Sequence, residues 1–349
     1  MNNKVLLLSV LSLLAGCFST TQAQTLQEEE LAIVYYMPQT QFAITIEYDV
    51  VEAQCGPFYQ YAQRYLGTQD VILENETYYE LTNIQAQTHT VADLSRPYSV
   101  HAQRDVQLQL LTLTAQGTLY GYNVPMESTV VPSVYTPQQS SKTEIPYVMP
   151  LMEEQLIASS IAKMAEGTAK QIYHIRETRL NILAGDVEHL PADGQAMQIV
   201  LDELQKQEEA LTALFVGKKN ITHKATTLYY TPNKSADAII ARFSRYKGLV
   251  DNDDLSGEPI NILEVPNILS LSPLMIEVEK KPQLPSEIYY NLPGSTTITI
   301  QYKNKNLYTA THPIAQYGVA LPLGKDLFQK SKPTIYFNTL TGNITSIQK

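Results

Sequence analysis

Three short constellations carry side chains that could do chemistry. Ser160-Ile161-Ala162-Lys163 has the Ser-x-x-Lys spacing in which an amine helps activate a serine nucleophile. His174 and Glu177 stand three apart and would share one face of a helix, a spacing that can present two metal ligands. Asp251, Asp253, Asp254 and Glu258 gather hard oxygen donors of the kind that hold calcium. Each has a plainer reading. The Ser-x-x-Lys stretch falls inside a long helical pattern, and no Ser-Asp-Asn or Lys-Thr-Gly follows it. A di-metal bundle needs a second histidine on a facing helix, and the next helical stretch has none, so His174 and Glu177 read as a solvated face. The acidic run fails the EF-hand order, with Leu255 at the fifth position and Ser256 where glycine is required. It reads as an acidic turn, with those four carboxylates kept as a weak calcium candidate. There is no Gly-x-Ser-x-Gly elbow, phosphate loop, His-Glu-x-x-His or cysteine knuckle. No catalytic residue and no cofactor is assigned on this basis.

A different chemistry is written at the amino end. Lys4 precedes a mostly apolar run from Val5 to Leu14, and small residues follow. The run is shorter than the roughly 20 residues a membrane span needs, so residues 1–23 read as a secretory signal. Leu14-Ala15-Gly16-Cys17 resembles the bacterial lipobox, in which the cysteine becomes the lipidated first residue. That reading tethers the protein at the periplasmic side of the outer membrane, with Cys17 as the lipid anchor. A second exit at Thr21-Gln22-Ala23 would discard Cys17 and leave a soluble periplasmic or secreted protein. Cys55 is then left without an intrachain partner, which excludes a disulfide framework. It reads as a partly buried thiol beside Gly56-Pro57.

The formal charge of -10 argues against nucleic acid as a partner, since phosphate binding needs concentrated Lys and Arg. With 44% hydrophobic and 17% charged residues, the chain is globular rather than disordered. Its 349 residues suffice for two domains or one long composite. Tyrosine is over-used, with 23 Tyr against 7 Phe and no Trp. Tyrosine suits half-buried sheet surfaces; a stacking surface for sugars is the functional alternative.

The elements that must position these residues are legible as patterns. Residues 25–124 read as a β-rich domain. Phe42 to Tyr48 forms a strand, and Val106–Thr114 and Thr118–Asn123 form a hairpin around Ala115-Gln116-Gly117. Pro57 to Leu66 reads as a short helix ended by Gly67. Residues 125–149 are a linker rich in Pro and Ser. Residues 150–218 carry two helical stripes. The first runs through Ile157, Ile161, Met164, Thr168, Ile172, Ile175 and Ile182, interrupted by Arg179. The second runs through Met197, Leu201, Leu204, Leu211 and Phe215, interrupted by Glu208. Together they predict an antiparallel helical hairpin. Residues 221–349 return to strands, at Tyr289–Lys303, Asn306–Thr311, Pro333–Asn338 and Asn343–Ile347. The fold class is α+β: two β-rich parts with sandwich-like sheets, separated by a long antiparallel helical hairpin. Tyr35-Tyr36-Met37-Pro38, Tyr229-Tyr230-Thr231-Pro232 and Tyr289-Tyr290-Asn291-Leu292-Pro293 each couple paired tyrosines to a proline that ends strand pairing.

Several of these pieces resemble one family, catalogued as domain of unknown function 4831 and associated with envelope proteins of Bacteroides-type bacteria. They include Tyr35-Tyr36-Met37-Pro38-Gln39-Thr40, Gly56-Pro57-Phe58, Tyr61 to Gly67, Ala158 to Lys163 and Ile172 to Glu177. Pro191-Ala192-Asp193-Gly194, Asp254 to Ile260 and Gln316-Tyr317-Gly318 also fit. The resemblance implies export and a mixed β and helical-hairpin build, and no reaction. The expected role is a lipid-tethered structural or interaction module whose helical hairpin meets a protein partner. A glycan-binding or glycan-hydrolysing periplasmic protein is the alternative.

Overall fold

The computed structural model describes residues 32–101, 107–125, 160–186, 194–234, 237–267, 287–324, 326–329 and 332–348. The signal stretch with Cys17, the linker beyond Pro125, and the expected helix start at Leu151 lie outside these residues.

The frame is one very long ribbon. Strands β1 (Ala32–Gln54) and β2 (Glu76–His101) pair antiparallel from Ala32 with His101 to Ala53 with Glu76. At about 3.3 Å per residue, β1 is about 75 Å long. Such a strand cannot be served by one core. Tyr35 and Met37 are buried, then Thr40, Phe42, Ile44 and Ile46. The buried set switches from odd to even numbers, so β1 turns one face to each of two cores. The pairing shifts register at Tyr36/Met37, where Leu94, Ser95 and Arg96 bulge from β2, and at Glu47/Tyr48. Between the two strands a turn at Tyr59–Tyr61 leads into α1 (Ala62–Leu66), which Gly67 ends at φ 71° as expected.

Strand β5 (Lys218–Tyr230) pairs with β1 from Gln54 to Phe42, completing a sheet ordered β2-β1-β5. A second sheet runs β10 (Lys305–Pro322), β9 (Tyr289–Tyr302), β8 (Glu258–Pro266), β6 (Asp237–Ser244) and β7 (Gly248–Val250). A third runs β12 (Ile344–Gln348), β11 (Thr334–Phe337), β4 (Leu119–Tyr122) and β3 (Leu111–Leu113). The hairpin expected around Ala115-Gln116-Gly117 is the β3–β4 pair.

Strands from 25–124 and from 221–349 share sheets in this topology. Strand β5 joins the sheet of β1 and β2, and β11 pairs with β4. The amphipathic pattern of a strand says which face is buried, not which distant strand completes its edge. The mixed α+β composition stands, with β predominant.

Two cores sit on the ribbon. Phe42, Ile44, Ile46 and Ile84 pack against Phe243, Ile260, Ile262, Ile298, Ile300 and Ile314, the first sheet on the second. Tyr35, Met37, Tyr98 and Val100 pack against Leu119, Tyr122, Ile335 and Phe337 of the third sheet. Phe328 of α4 (Asp326–Gln329) closes this end with an edge-on contact to Tyr122.

A third core belongs to the helices α2 (Ile161–Ala184) and α3 (Gly194–Val216). Ser160 caps α2: its backbone is extended and its hydroxyl accepts the Lys163 N–H. Gly185 ends α2 at φ 80°. Ala165, Ala169, Ile172 and Ile175 share this core with Leu211 and Phe215, and Phe58 and Ala62 cover it from the α1 side. Residues 187–193, between the helices, lie outside the described ones. Among the described residues no helix is long and apolar enough to cross a membrane.

Candidate functional site

Polar side chains concentrate where the first two sheets meet, around Ala315 to Gly318. In β10, Ile314 pairs with Gly294 and Val319 with Leu292, so four residues stand opposite one. This bulge re-aims Gln316 and Tyr317. It demands glycine at two places. A Cβ on Gly318 would lie 2.0 Å from the Leu292 carbonyl oxygen, and one on Gly294 2.6 Å from that of Tyr317.

Gln316 acts as a substitute strand. Its Oε1 accepts the Thr40 N–H at 2.9 Å, and its Nε2 donates to the Thr40 carbonyl at 3.0 Å and to Pro232 O at 3.1 Å. Thr40 lies just beyond Phe42, where the pairing with β5 stops. Pro38, next along, has no N–H to offer, so this length of edge, unpaired with β5, is blunted. Thr40 Oγ1 accepts the Ala315 N–H at 2.9 Å. Asn291 is fully buried; its Nδ2 donates to Ala315 O at 3.0 Å and Thr341 O at 2.7 Å. The three tyrosine–proline elements thus converge: Tyr35 Oη donates to Tyr289 O at 2.9 Å and accepts the Tyr289 N–H at 2.7 Å.

Beside Gln316 lies the most buried carboxylate described, Glu264 at 3% exposure. The hydroxyls of Tyr230 and Tyr317 donate to its two oxygens, one each. Tyr317 Oη also accepts the backbone N–H of Lys234, whose ammonium stands 5.4 Å from the Tyr317 ring centroid. Lys234 is held at φ 66°, an uncommon conformation for a residue with a side chain. Burial first, and the hydrogen bond to Glu264 second, push both phenols well above their ordinary range. Both carboxylate oxygens are engaged and shielded, so the cluster ties β5, β8 and β10 together and offers no reacting atom to a substrate. Ile260-x-Ile262-x-Glu264 could have revealed it, since alternation places Glu264 on the inward face.

The helices carry an open feature. A groove of about 720 Å³ runs between α2 and α3, bounded by Arg176, Arg179 and Leu183 on one side and Leu201, Glu209 and Thr212 on the other. In its floor, Arg176 Nε donates to Glu208 Oε1 at 2.6 Å, and Arg179 Nη1 lies 2.9 Å from Oε2 without hydrogen-bond geometry. The hydroxyl of Thr212 is buried there with no partner among the described residues.

The residues singled out from the sequence fall elsewhere. Ser160 is the α2 cap. His174 and Glu177 are exposed on α2. The acidic run forms the β7–β8 turn. There Asp254 Oδ1 accepts the Ser256 N–H at 2.9 Å and Oδ2 accepts Lys247 Nζ at 2.8 Å. The Lys247 ammonium, then Ser256, holds the Asp254 carboxyl well below the usual carboxylate range. Asp251, Asp253 and Glu258 are exposed around it. Among the described residues no three His, Cys, Asp or Glu side chains converge on a metal position. Cys55 is half-buried, its N–H donating to Asn75 Oδ1 at 2.7 Å.

No curated protein and no solved structure matches this chain. The model of one family, described as a domain of unknown function (DUF4831), matches residues 31–345, from the first strand of the ribbon to the last strand of the third sheet, and the chain belongs to that family.

Proposed function

We propose that this chain is an exported envelope protein, tethered by lipid on Cys17 at the periplasmic side of the outer membrane. In this reading it works as a structural or interaction module that docks a protein partner through α2 and α3. The two helices act as one antiparallel hairpin. The observation that carries the docking reading is the uncovered distal half of that pair. Toward the sheets, the α2–α3 stripe is roofed by Phe58 and Ala62. Further out, among the described residues, it holds the Arg176–Arg179–Glu208 ion pairs and Ile182, with Leu180 and Leu183 at 66% and 61% exposure. Large exposed apolar side chains at helical spacing are a common mark of an interaction face.

The glycan reading has less behind it. Tyr35, Tyr98, Tyr122 and Tyr317 are buried in the cores or at the sheet junction. The more exposed Tyr173, Tyr229 and Tyr246 sit on α2, on β5 and in the β6–β7 turn, on three separate elements.

Two measurements test the proposal. Cys17→Ser should move the protein from the membrane fraction to the soluble one; an unchanged distribution removes the tether. A photo-crosslinking residue at Leu183 should give a discrete protein adduct in cells, and one at Thr311, exposed on β10, should give none. Equal labelling from both positions, or none from Leu183, removes the docking role.

A further inference from the structure

We infer that the partner on the distal half of the helix pair is a second copy of this chain, hairpin against hairpin. The inference rests on the docking reading above and adds its occupant.

The first argument is charge. Helix α2 carries Lys163, Lys170, Arg176 and Arg179 against Glu166 and Glu177, a net of +2. Helix α3 carries Asp202, Glu203, Glu208 and Glu209 against Lys206, a net of -3. One helix is basic and its neighbour acidic, so a two-fold axis along the groove sets each copy's α2 against the other's α3. That is the self-complementarity an isologous contact requires. The groove repeats the polarity locally: Arg176 and Arg179 form one wall, Glu209 the other. In the floor the two guanidinium groups meet Glu208, and Asp202 and Glu209 line the α3 side.

The second argument is continuity of an interface already in use. Along α2, Ile172, Arg176, Arg179 and Leu183 follow one another at steps of three and four, so they lie on one face. The inner part of that face is covered by a third element, the segment with Phe58 and Ala62. Among the described residues that cover stops at the level of the arginines. Beyond it, Leu180 and Leu183 project. A further helix laid there bounds the groove as Phe58 bounds the inner core. Two hairpins meeting this way form a four-helix bundle.

Sedimentation equilibrium of the intact purified protein over a wide concentration range tests this. Self-association to twice the single-chain mass is expected, tighter at low salt than at high salt. Leu180→Glu/Leu183→Glu should weaken it at least tenfold while leaving the melting temperature of the single chain unchanged, since both side chains are exposed. A second variant, Glu209→Lys, should weaken it and steepen no other property of the fold. A single-chain mass at every concentration overturns the inference, as does a dimer that neither variant weakens. If the protein stays single while the Leu183 crosslink in cells persists, the docking reading stands and only the second copy is lost.

Discussion

Arg179 of α2 and Glu208 of α3 lie 2.9 Å apart, and each is the residue that interrupts the apolar stripe of its own helix. Two apparent flaws in two patterns are therefore one contact. Arg176 joins from the next turn at 2.6 Å. The carboxylate side chain is 14% exposed and the guanidinium of Arg179 34%, so the pair sits between a core and a surface.

Removing one partner is more costly than removing both. Glu208→Ala leaves two cations facing each other over a half-buried floor, and should lower unfolding stability by about 1–3 kcal/mol. Arg179→Met with Glu208→Leu restores an apolar stripe, and should cost less than the single change. Urea denaturation of the three proteins decides the order. A double variant less stable than Glu208→Ala would refute this account.

How much was legible in the sequence follows from what each pattern encodes. The helices, the glycine end of α1 and the β3–β4 hairpin were readable because their determinants are local: a stripe, a cap, a turn. The interruptions at Arg179 and Glu208 were visible, but only proximity could join them. That strands from 25–124 and 221–349 share sheets was not legible, for the converse reason. Nothing local to β5 or β11 records that its neighbours are β1 and β4. The junction was half legible. The paired tyrosines and prolines read as one edge design, and the Tyr35–Tyr289 hydrogen bonds join two of the three elements. Glu264 was overlooked because a single acid in a strand draws little notice unless its inward parity is counted.

The tyrosine–glutamate cluster sets an alkaline limit. The phenols of Tyr35, Tyr230 and Tyr317 are raised above the ordinary value of 10.0 in the folded chain, chiefly by burial. A group whose folded pKa is raised contributes its stability fully below the unfolded value, and loses it as pH rises beyond. Stability should therefore hold up to about pH 10 and fall above it. Absorbance of phenolate should rise in two stages, the exposed tyrosines first and the buried ones only with loss of the fold. A single smooth titration completed in the folded protein would contradict the burial of these hydroxyls.

Tyr317→Phe probes the same cluster at neutral pH. It removes one donor from a carboxylate that is 3% exposed and leaves the Lys234 N–H without its acceptor. A loss of about 1–3 kcal/mol is expected. Tyr229→Phe, one residue from Tyr230 but 59% exposed, should change stability by less than about 0.5 kcal/mol. A loss from Tyr317→Phe as small as that from Tyr229→Phe would mean that ring packing, not the hydroxyl on the carboxylate, is what Tyr317 supplies.

The bulge offers a steric test. Gly318→Ala places a methyl 2.0 Å from the Leu292 carbonyl, where only backbone movement can relieve it. It should cost about 3 kcal/mol or prevent folding. Gly194→Ala, at the start of α3, meets nothing within 4 Å and should be close to neutral. Thermal melting of the pair measures the contrast. Equal melting temperatures would show that β9 and β10 can separate at the bulge without loss.

Ser160 distinguishes a cap from a nucleophile. Its hydroxyl accepts the Lys163 N–H, so the lysine backbone, rather than its amine, is the group engaged. Ser160→Ala should cost about 1 kcal/mol through the lost cap, and Ser160→Asp should retain most of the stability because a carboxylate caps as well and suits the helix dipole. A nucleophile would behave in the opposite way: aspartate could not replace it, and the unchanged protein would form a stable acyl adduct with a reactive β-lactam. Melting curves for both variants, with intact-mass measurement after β-lactam exposure, separate the two. An adduct on Ser160, or an aspartate variant as unstable as the alanine one, would reverse the assignment.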